Sequence, residues 1–266
     1  MVTKWSVVIL LALFIAGFVS TASAGKPETG FLNRTVLIGG KTYRYQVYVP
    51  AEWNKSNKWP VVLFLHGAGE RGDDGLPQTQ VGIATAIRLH KDRFPCIVVF
   101  PQCRKDAWWT MDEMETQAMK ALEQSIREFK GDPDRVYLTG ISMGGYGTWD
   151  LAYKYPGRFA AFAPVCGGIR PPGKVPMPKT GPFADPNADP YALVAQKVGK
   201  TAVWIFHGGA DNVVPPSESR KMNDALKAAG ANVRYTEYEG VGHNSWDRAY
   251  ADPEFMTWLL AQRRPK

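Results

Sequence analysis

The chain has 266 residues, enough for one large α/β domain with a full hydrophobic core. Its 32 Lys and Arg against 25 Asp and Glu give a formal charge of +7, yet outside Arg263-Arg264-Pro265-Lys266 no dense basic run occurs, which argues against nucleic acid as a partner. Three cysteines are too sparse and odd a number for a disulfide scaffold, so a packed core must hold the fold.

Lys4 is followed by an apolar run over residues 7–19 and by Ala22-Ser23-Ala24 before Gly25. A positive start, a short apolar stretch and an A-x-A cleavage site read as a signal peptide over residues 1–24, with an uncleaved membrane anchor as the lesser alternative. A secreted or periplasmic protein is expected, with a mature part, 25–266, that keeps no stable membrane insertion.

Residues 35–38 and 42–49 are strand-like runs separated by Gly39-Gly40, the signature of an antiparallel hairpin. Short continuous apolar runs then predict strands at 61–65, 97–100, 136–138, 159–163, 202–206 and 233–238. Helix-length stretches lie at 81–90, 114–129, 145–155, 217–229 and 254–262. Strands buried on both faces and alternating with helices predict an α/β fold: a mostly parallel sheet with helices on both faces and an N-terminal antiparallel hairpin. Cys96 and Cys103 flank the run 97–100; as the ends of one strand they lie about 20 Å apart, beyond the ~7 Å reach of a disulfide. Pairing of either with Cys166 stays open. Residues 170–190 contain seven prolines and no apolar periodicity, which predicts a long loop insertion, either a surface excursion or a wall over the site.

Ligands in such sheets bind at the carboxyl ends of the strands. There the chain carries Thr139-Gly140-Ile141-Ser142-Met143-Gly144-Gly145-Tyr146-Gly147, four glycines crowded around one serine between a strand and a helix. A strand that turns at once into a helix strains its central residue and brings backbone so close that side chains two positions away must be absent. The helix start then aims backbone N–H groups at a developing oxyanion. In a chain with 26 glycines the frame alone is a weak signal, so its partners must carry the reading.

A serine hydroxyl needs a histidine to take its proton, and the histidine needs a carboxylate to fix its tautomer. Only His207 and His243 follow Ser142. In His207-Gly208-Gly209-Ala210-Asp211 the carboxylate comes after the histidine, the wrong order for that pair. His243 lies in Gly240-Val241-Gly242-His243-Asn244 after the last strand, and Asp211 precedes it after the strand before. Ser142 is therefore assigned as nucleophile, His243 as general base and then acid, and Asp211 as its orienting partner.

The strand 61–65 runs into His66-Gly67-Ala68-Gly69-Glu70-Arg71-Gly72, where the second oxyanion donor is expected: Ala68 N–H beside Met143 N–H, with Gly67 as the next candidate. Glu70 and Arg71 are expected to order this loop as an ion pair. Trp108, Trp109 and Trp246 fall at the same edge and could floor an acyl or sugar pocket. No two histidines have ligand spacing and no CxxC occurs, so neither a metal nor another cofactor is expected.

The blocks LHGAGERG, PQC with WW behind it, TGISMGGYGTWD, HGGADNVVP and GVGHNSWD resemble, in order, those of the α/β-hydrolase superfamily. Within it they look like exported phospholipase/carboxylesterase- and feruloyl-esterase-like serine hydrolases, a group of esterases and peptidases. The resemblance covers nearly all of the mature chain, except that 170–190 is longer than in compact members. It implies a serine carboxylic-ester hydrolase and the same roles for Ser142, Asp211 and His243. Feruloyl or acetyl esters of carbohydrates are the expected substrates. Two alternatives stand beside it: a small serine peptidase of prolyl-oligopeptidase type, and a non-catalytic binding protein on a hydrolase scaffold. Nothing in these signals sets the oligomeric state.

Overall fold

In the computed structural model, which describes residues 27–172, 181–182, 185 and 187–265, Gly39 and Gly40 take φ of 55° and 80°. Those left-handed values suit a two-residue turn, and it folds β1 (Gly30–Ile38) back on β2 (Lys41–Val49) with Ile38 opposite Lys41. The proposed signal peptide and most of the proline-rich stretch lie outside the described residues.

Six further strands follow: β3 (Trp59–Leu65), β4 (Ile97–Pro101), β5 (Gly131–Ile141), β6 (Ala161–Val165), β7 (Ala202–Gly208) and β8 (Val233–Tyr238). They form one eight-stranded sheet in the order β1-β2-β4-β3-β5-β6-β7-β8, in which β2 pairs antiparallel with β4 and every later pairing is parallel. β3, β4, β6 and β7 are buried almost throughout, as continuous apolar strands covered on both faces must be.

Alternate residues of one strand feed two separate cores. Val61, Leu63 and Leu65 of β3 join the cluster on one face, while Val62 and Phe64 join the other. Helices α1 (Ile83–Leu89), α2 (Asp112–Glu128), α3 (Met143–Lys154), α4 (Pro190–Val198), α5 (Ser217–Ala228), α6 (Trp246–Ala251) and α7 (Pro253–Ala261) cover the two sides. α2, α3, α4 and α5 supply the first cluster, and α1, α6 and α7 the second. No helix among the described residues is long and apolar enough to cross a membrane.

Two helices, α4 and α6, lie where no helix was expected. α4 begins inside the stretch read as loop: Pro190 fills its first position and the Asp189 carboxylate accepts from Tyr191 N at 2.9 Å. A proline costs nothing where the N–H has no helical partner, and an aspartate before it caps the turn. Asp252-Pro253 starts α7 in the same way. β6 is displaced toward its C-terminus relative to 159–163, and α1 is shorter than 81–90 because Gly82 turns the chain at φ 65°. All three cysteines are buried and free, which removes the open disulfide with Cys166.

Candidate active site

β5 passes into α3 through Ser142, whose φ of 51° and ψ of −116° put a non-glycine residue in a strained left-handed conformation. Ser142 N–H donates to Val165 O at 3.0 Å, which pins the turn to β6. The flanking glycines are required by contact. A Cβ on Gly140 would stand 2.3 Å from Gly144 O, and one on Gly144 would stand 1.9 Å from Leu65 O.

Loops after β7 and β8 bring the other two side chains to Ser142. His243 Nε2 lies 2.9 Å from Ser142 Oγ, and Nδ1 lies 2.7 Å from Asp211 Oδ2. Because Asp211 is an acceptor, Nδ1 carries the proton and Nε2 presents a lone pair to the hydroxyl. The imidazole is partly exposed while Asp211 is 6% exposed. Trp246 stands edge-on to the His243 ring, with centroids 5.5 Å apart, and forms a wall beside it.

His207 is the residue that the sequence argument left out. It is not part of the serine–histidine contact, but its Nε2 lies 3.2 Å from Asp211 Oδ2 and 3.0 Å from Val214 O. Two acceptors facing Nε2 place the proton there, so Nδ1 accepts from Ser219 Oγ at 2.7 Å. Burial lowers the His207 pKa and keeps the ring neutral. Asp211 Oδ1 accepts from Val213 N and Val214 N at 2.8 and 3.0 Å. The carboxylate thus faces four donors, two on each oxygen. The i,i+4 spacing of His207 and Asp211 was the signal available in the sequence.

Across the cleft, Gly67 caps a short 3-10 turn over Ala68–Glu70, so Ala68 N–H stands at the first position of that turn and Met143 N–H at the first position of α3. First-turn donors have no carbonyl behind them to satisfy, which makes both available to an anion. The loop lies against the serine, since a Cβ on Gly67 would come 3.7 Å from Ser142 Cβ. Buried His66 holds it in place: Nδ1 donates to Gly67 O at 2.6 Å and Nε2 accepts from Cys103 N at 2.9 Å. Burial lowers the His66 pKa to about 4, so the ring works as a neutral bridge.

Glu70 and Arg71 do not form the expected ion pair. Arg71 Nε donates instead to Ala68 O at 2.9 Å, closing the turn on itself, and Glu70 turns inward to within 4.0 Å of His66 Nδ1. Burial raises the Glu70 pKa. The three tryptophans also separate. Trp108 is half-buried against the Tyr146 ring at 5.9 Å, and Trp246 flanks His243. Trp109 is 1% exposed with its indole N–H on His66 O at 2.9 Å, so it packs behind the loop and not in the cleft.

A serine hydroxyl aimed at an oriented imidazole, beside two helix-start N–H groups, can form and cleave an acyl-enzyme. Residues 97–252 match the family model described as dienelactone hydrolase family. A secreted protein of Arthroderma benhamiae is 27% identical over 87% of this chain. A bifunctional acetylxylan esterase/xylanase of Neocallimastix patriciarum is 31% identical over 46% of it. The crystal structure of a thermostable esterase superposes with a TM-score of 0.73 at 32% identity over 88% of this chain. The chain spans 28%, 17% and 63% of the lengths of these three proteins, respectively. Fold, motif order and the family match over more than half of the sequence agree: this chain belongs to the dienelactone hydrolase family, on the α/β-hydrolase fold.

Proposed function

We propose that the chain is an exported serine hydrolase that cleaves carboxylic esters through Ser142, His243 and Asp211. The observation that carries this reading is the unbroken line of hydrogen bonds from Asp211 through His243 to Ser142, at 2.7 and 2.9 Å. Ser142 Oγ attacks the ester carbonyl as His243 Nε2 takes its proton. The carbonyl oxygen becomes an anion held by Ala68 N–H and Met143 N–H. As that intermediate collapses, His243 returns the proton to the departing alcohol, which leaves the acyl group on Ser142. Water, deprotonated by the same nitrogen, then releases the acid and restores the serine.

For substrates, we propose feruloyl or acetyl esters carried by carbohydrates. The relative from Neocallimastix is a bifunctional acetylxylan esterase/xylanase, and half-buried Trp108, standing edge-on to the buried Tyr146 ring, offers an indole face suited to an aromatic ring or a sugar. Export is supported by the leader pattern in residues 1–24 and by the secreted relative.

Hydrolysis of p-nitrophenyl acetate by residues 25–266 beside Ser142→Ala tests the mechanism, and methyl ferulate with acetylated xylan tests the substrate class. A loss of kcat/KM by orders of magnitude in the variant is expected. Equal rates in both proteins would reject the serine mechanism. Hydrolysis of p-nitrophenyl acetate alone would reject the carbohydrate-ester reading.

A further inference from the structure

Spacing along the chain offers no metal site, yet the fold brings a thiol to the back of the catalytic histidine. Cys166 follows β6 directly, is fully buried, and takes a φ of 41° that an L-residue rarely adopts. Ligand atoms of Cys166, Asp211 and His243 all lie within 4.8 Å of one another. A tetrahedral Zn²⁺ with bonds of about 2.0–2.3 Å holds sulfur and nitrogen or oxygen ligands roughly 3.5 Å apart, so shifts of about 1 Å would close this set around one ion.

A second observation points to the same place. Ser245 Oγ is buried without a hydrogen-bond partner among the described residues, and its neighbour is the Cys166 thiol. A soft cation that displaces the thiol proton to solvent would take that proton's place between the buried sulfur and the carboxylate and imidazole beside it.

We propose that Cys166, Asp211 and His243 form an inhibitory site for a thiophilic divalent cation such as Zn²⁺. The effect on catalysis follows from which nitrogen the ion takes. Nδ1 faces Asp211 and Nε2 faces Ser142. An ion on Nδ1 leaves Nε2 as the only nitrogen able to carry the ring proton. It then donates toward Ser142 Oγ, and the lone pair that would accept the serine proton is gone. Binding would be reversible, because no covalent bond to carbon forms.

The inhibitory consequence rests on the proposed role of His243, whereas binding does not, and the experiment separates the two. Co²⁺ is titrated into metal-free protein while the thiolate-to-cobalt charge-transfer absorption is followed. Zn²⁺ stoichiometry is measured by calorimetry, and p-nitrophenyl acetate hydrolysis is followed against free Zn²⁺, with EDTA added last. Each protein is normalised to its own metal-free rate. The expected result is one equivalent bound, a charge-transfer band, and inhibition relieved by EDTA. Cys166→Ser and Cys166→Ala should both lose the band and need at least about tenfold more Zn²⁺ for half-inhibition. Two substitutions are used because at this fully buried position serine brings a hydroxyl and alanine leaves a void, so a folding defect in one need not affect the other. Absence of the band in the wild type, or a band and Zn²⁺ sensitivity that survive in a folded Cys166 variant, would overturn the proposal. Protein that binds Co²⁺ through Cys166 but hydrolyses no ester would leave the metal site standing and remove the esterase reading.

Discussion

Adding one methyl group at Gly144 should dismantle the site while sparing most of the chain's surface. The Cβ of Gly144→Ala would stand 1.9 Å from Leu65 O and 2.5 Å from Leu65 C, where ordinary contact begins near 3.4 Å. Both atoms are backbone, and β3 is held between β4 and β5, so α3 must move by about 1.5 Å or the ladder must open. Overpacking of this kind costs about 1–3 kcal/mol, and rigid backbone on one side of the clash puts the expected value near the upper end, about 3 kcal/mol. Since α3 carries Met143 N–H and follows Ser142, a shift of that size should also lower kcat by roughly a hundredfold. Gly157→Ala is the control: Gly157 has φ of 75° but nothing within 4 Å of an added Cβ, so only conformational strain of about 1 kcal/mol applies and activity stays intact. Urea unfolding followed by tryptophan fluorescence gives the stabilities, and p-nitrophenyl acetate hydrolysis gives the rates. A Gly144→Ala protein as stable and as active as Gly157→Ala would refute the close-approach argument.

Three further outcomes follow from contacts around the site and from one buried carboxylate. His207→Phe should destabilise by about 2–4 kcal/mol, because the Ser219 hydroxyl and Val214 carbonyl lose their partner, and should lower kcat by about fivefold with little change in KM as Asp211 loses one of four donors; steady-state kinetics beside urea melts check both. Trp108→Ala should raise KM several-fold for aromatic esters, whereas Trp109→Phe should cost about 1 kcal/mol of stability, through the lost bond to His66 O, and leave KM alone. Asp150, fully buried on α3, has its carboxyl raised to about 7, first by burial and against the pull of Lys154 Nζ at 2.9 Å, with Glu115 and Asp112 adding to the rise. A folded-state pKa above the unfolded one contributes stability that is lost as pH rises from about 4 to about 7, so thermal melts should show Asp150→Asn gaining on wild type across that window by up to about 4 kcal/mol, about 1.4 kcal/mol for each of roughly three pH units. A gap that is constant with pH, or that favours wild type more as pH rises, would contradict the burial of that charge.

The sheet was legible because its strands are short continuous apolar runs and its hairpin turns on a glycine pair; both signals are local. The candidate site was legible for a related reason: Ser142, Asp211 and His243 each sit one short loop beyond such a run, and parallel strands bring those loops to one edge. What local pattern could not give was contact across the sheet. Arg71 had Glu70 beside it in sequence, but its Nε found a carbonyl already fixed by the turn, and Glu70 found His66. Trp109 looked like its neighbour Trp108 until Gly147 of α3 left room for it in the core, where a Cβ on that glycine would stand 2.5 Å from Trp109 Cβ. His207 was rightly kept out of the serine contact by chain order, but order says nothing about a turn in which Asp211 Oδ1 gathers Val213 N and Val214 N and leaves Oδ2 facing two imidazoles. α4 was hidden by proline content, although Asp189-Pro190 is itself a helix-start signal.

The central claim is that Ser142 is a nucleophile activated by His243. A fluorophosphonate reacts far faster with a serine so activated than with an ordinary hydroxyl, and the adduct can be weighed and mapped. Intact mass after labelling should show one adduct on the folded protein, peptide mapping should place it on Ser142, and neither Ser142→Ala nor His243→Ala should label at a comparable rate. A folded wild-type protein that takes no label, or takes it on another residue, would contradict the account.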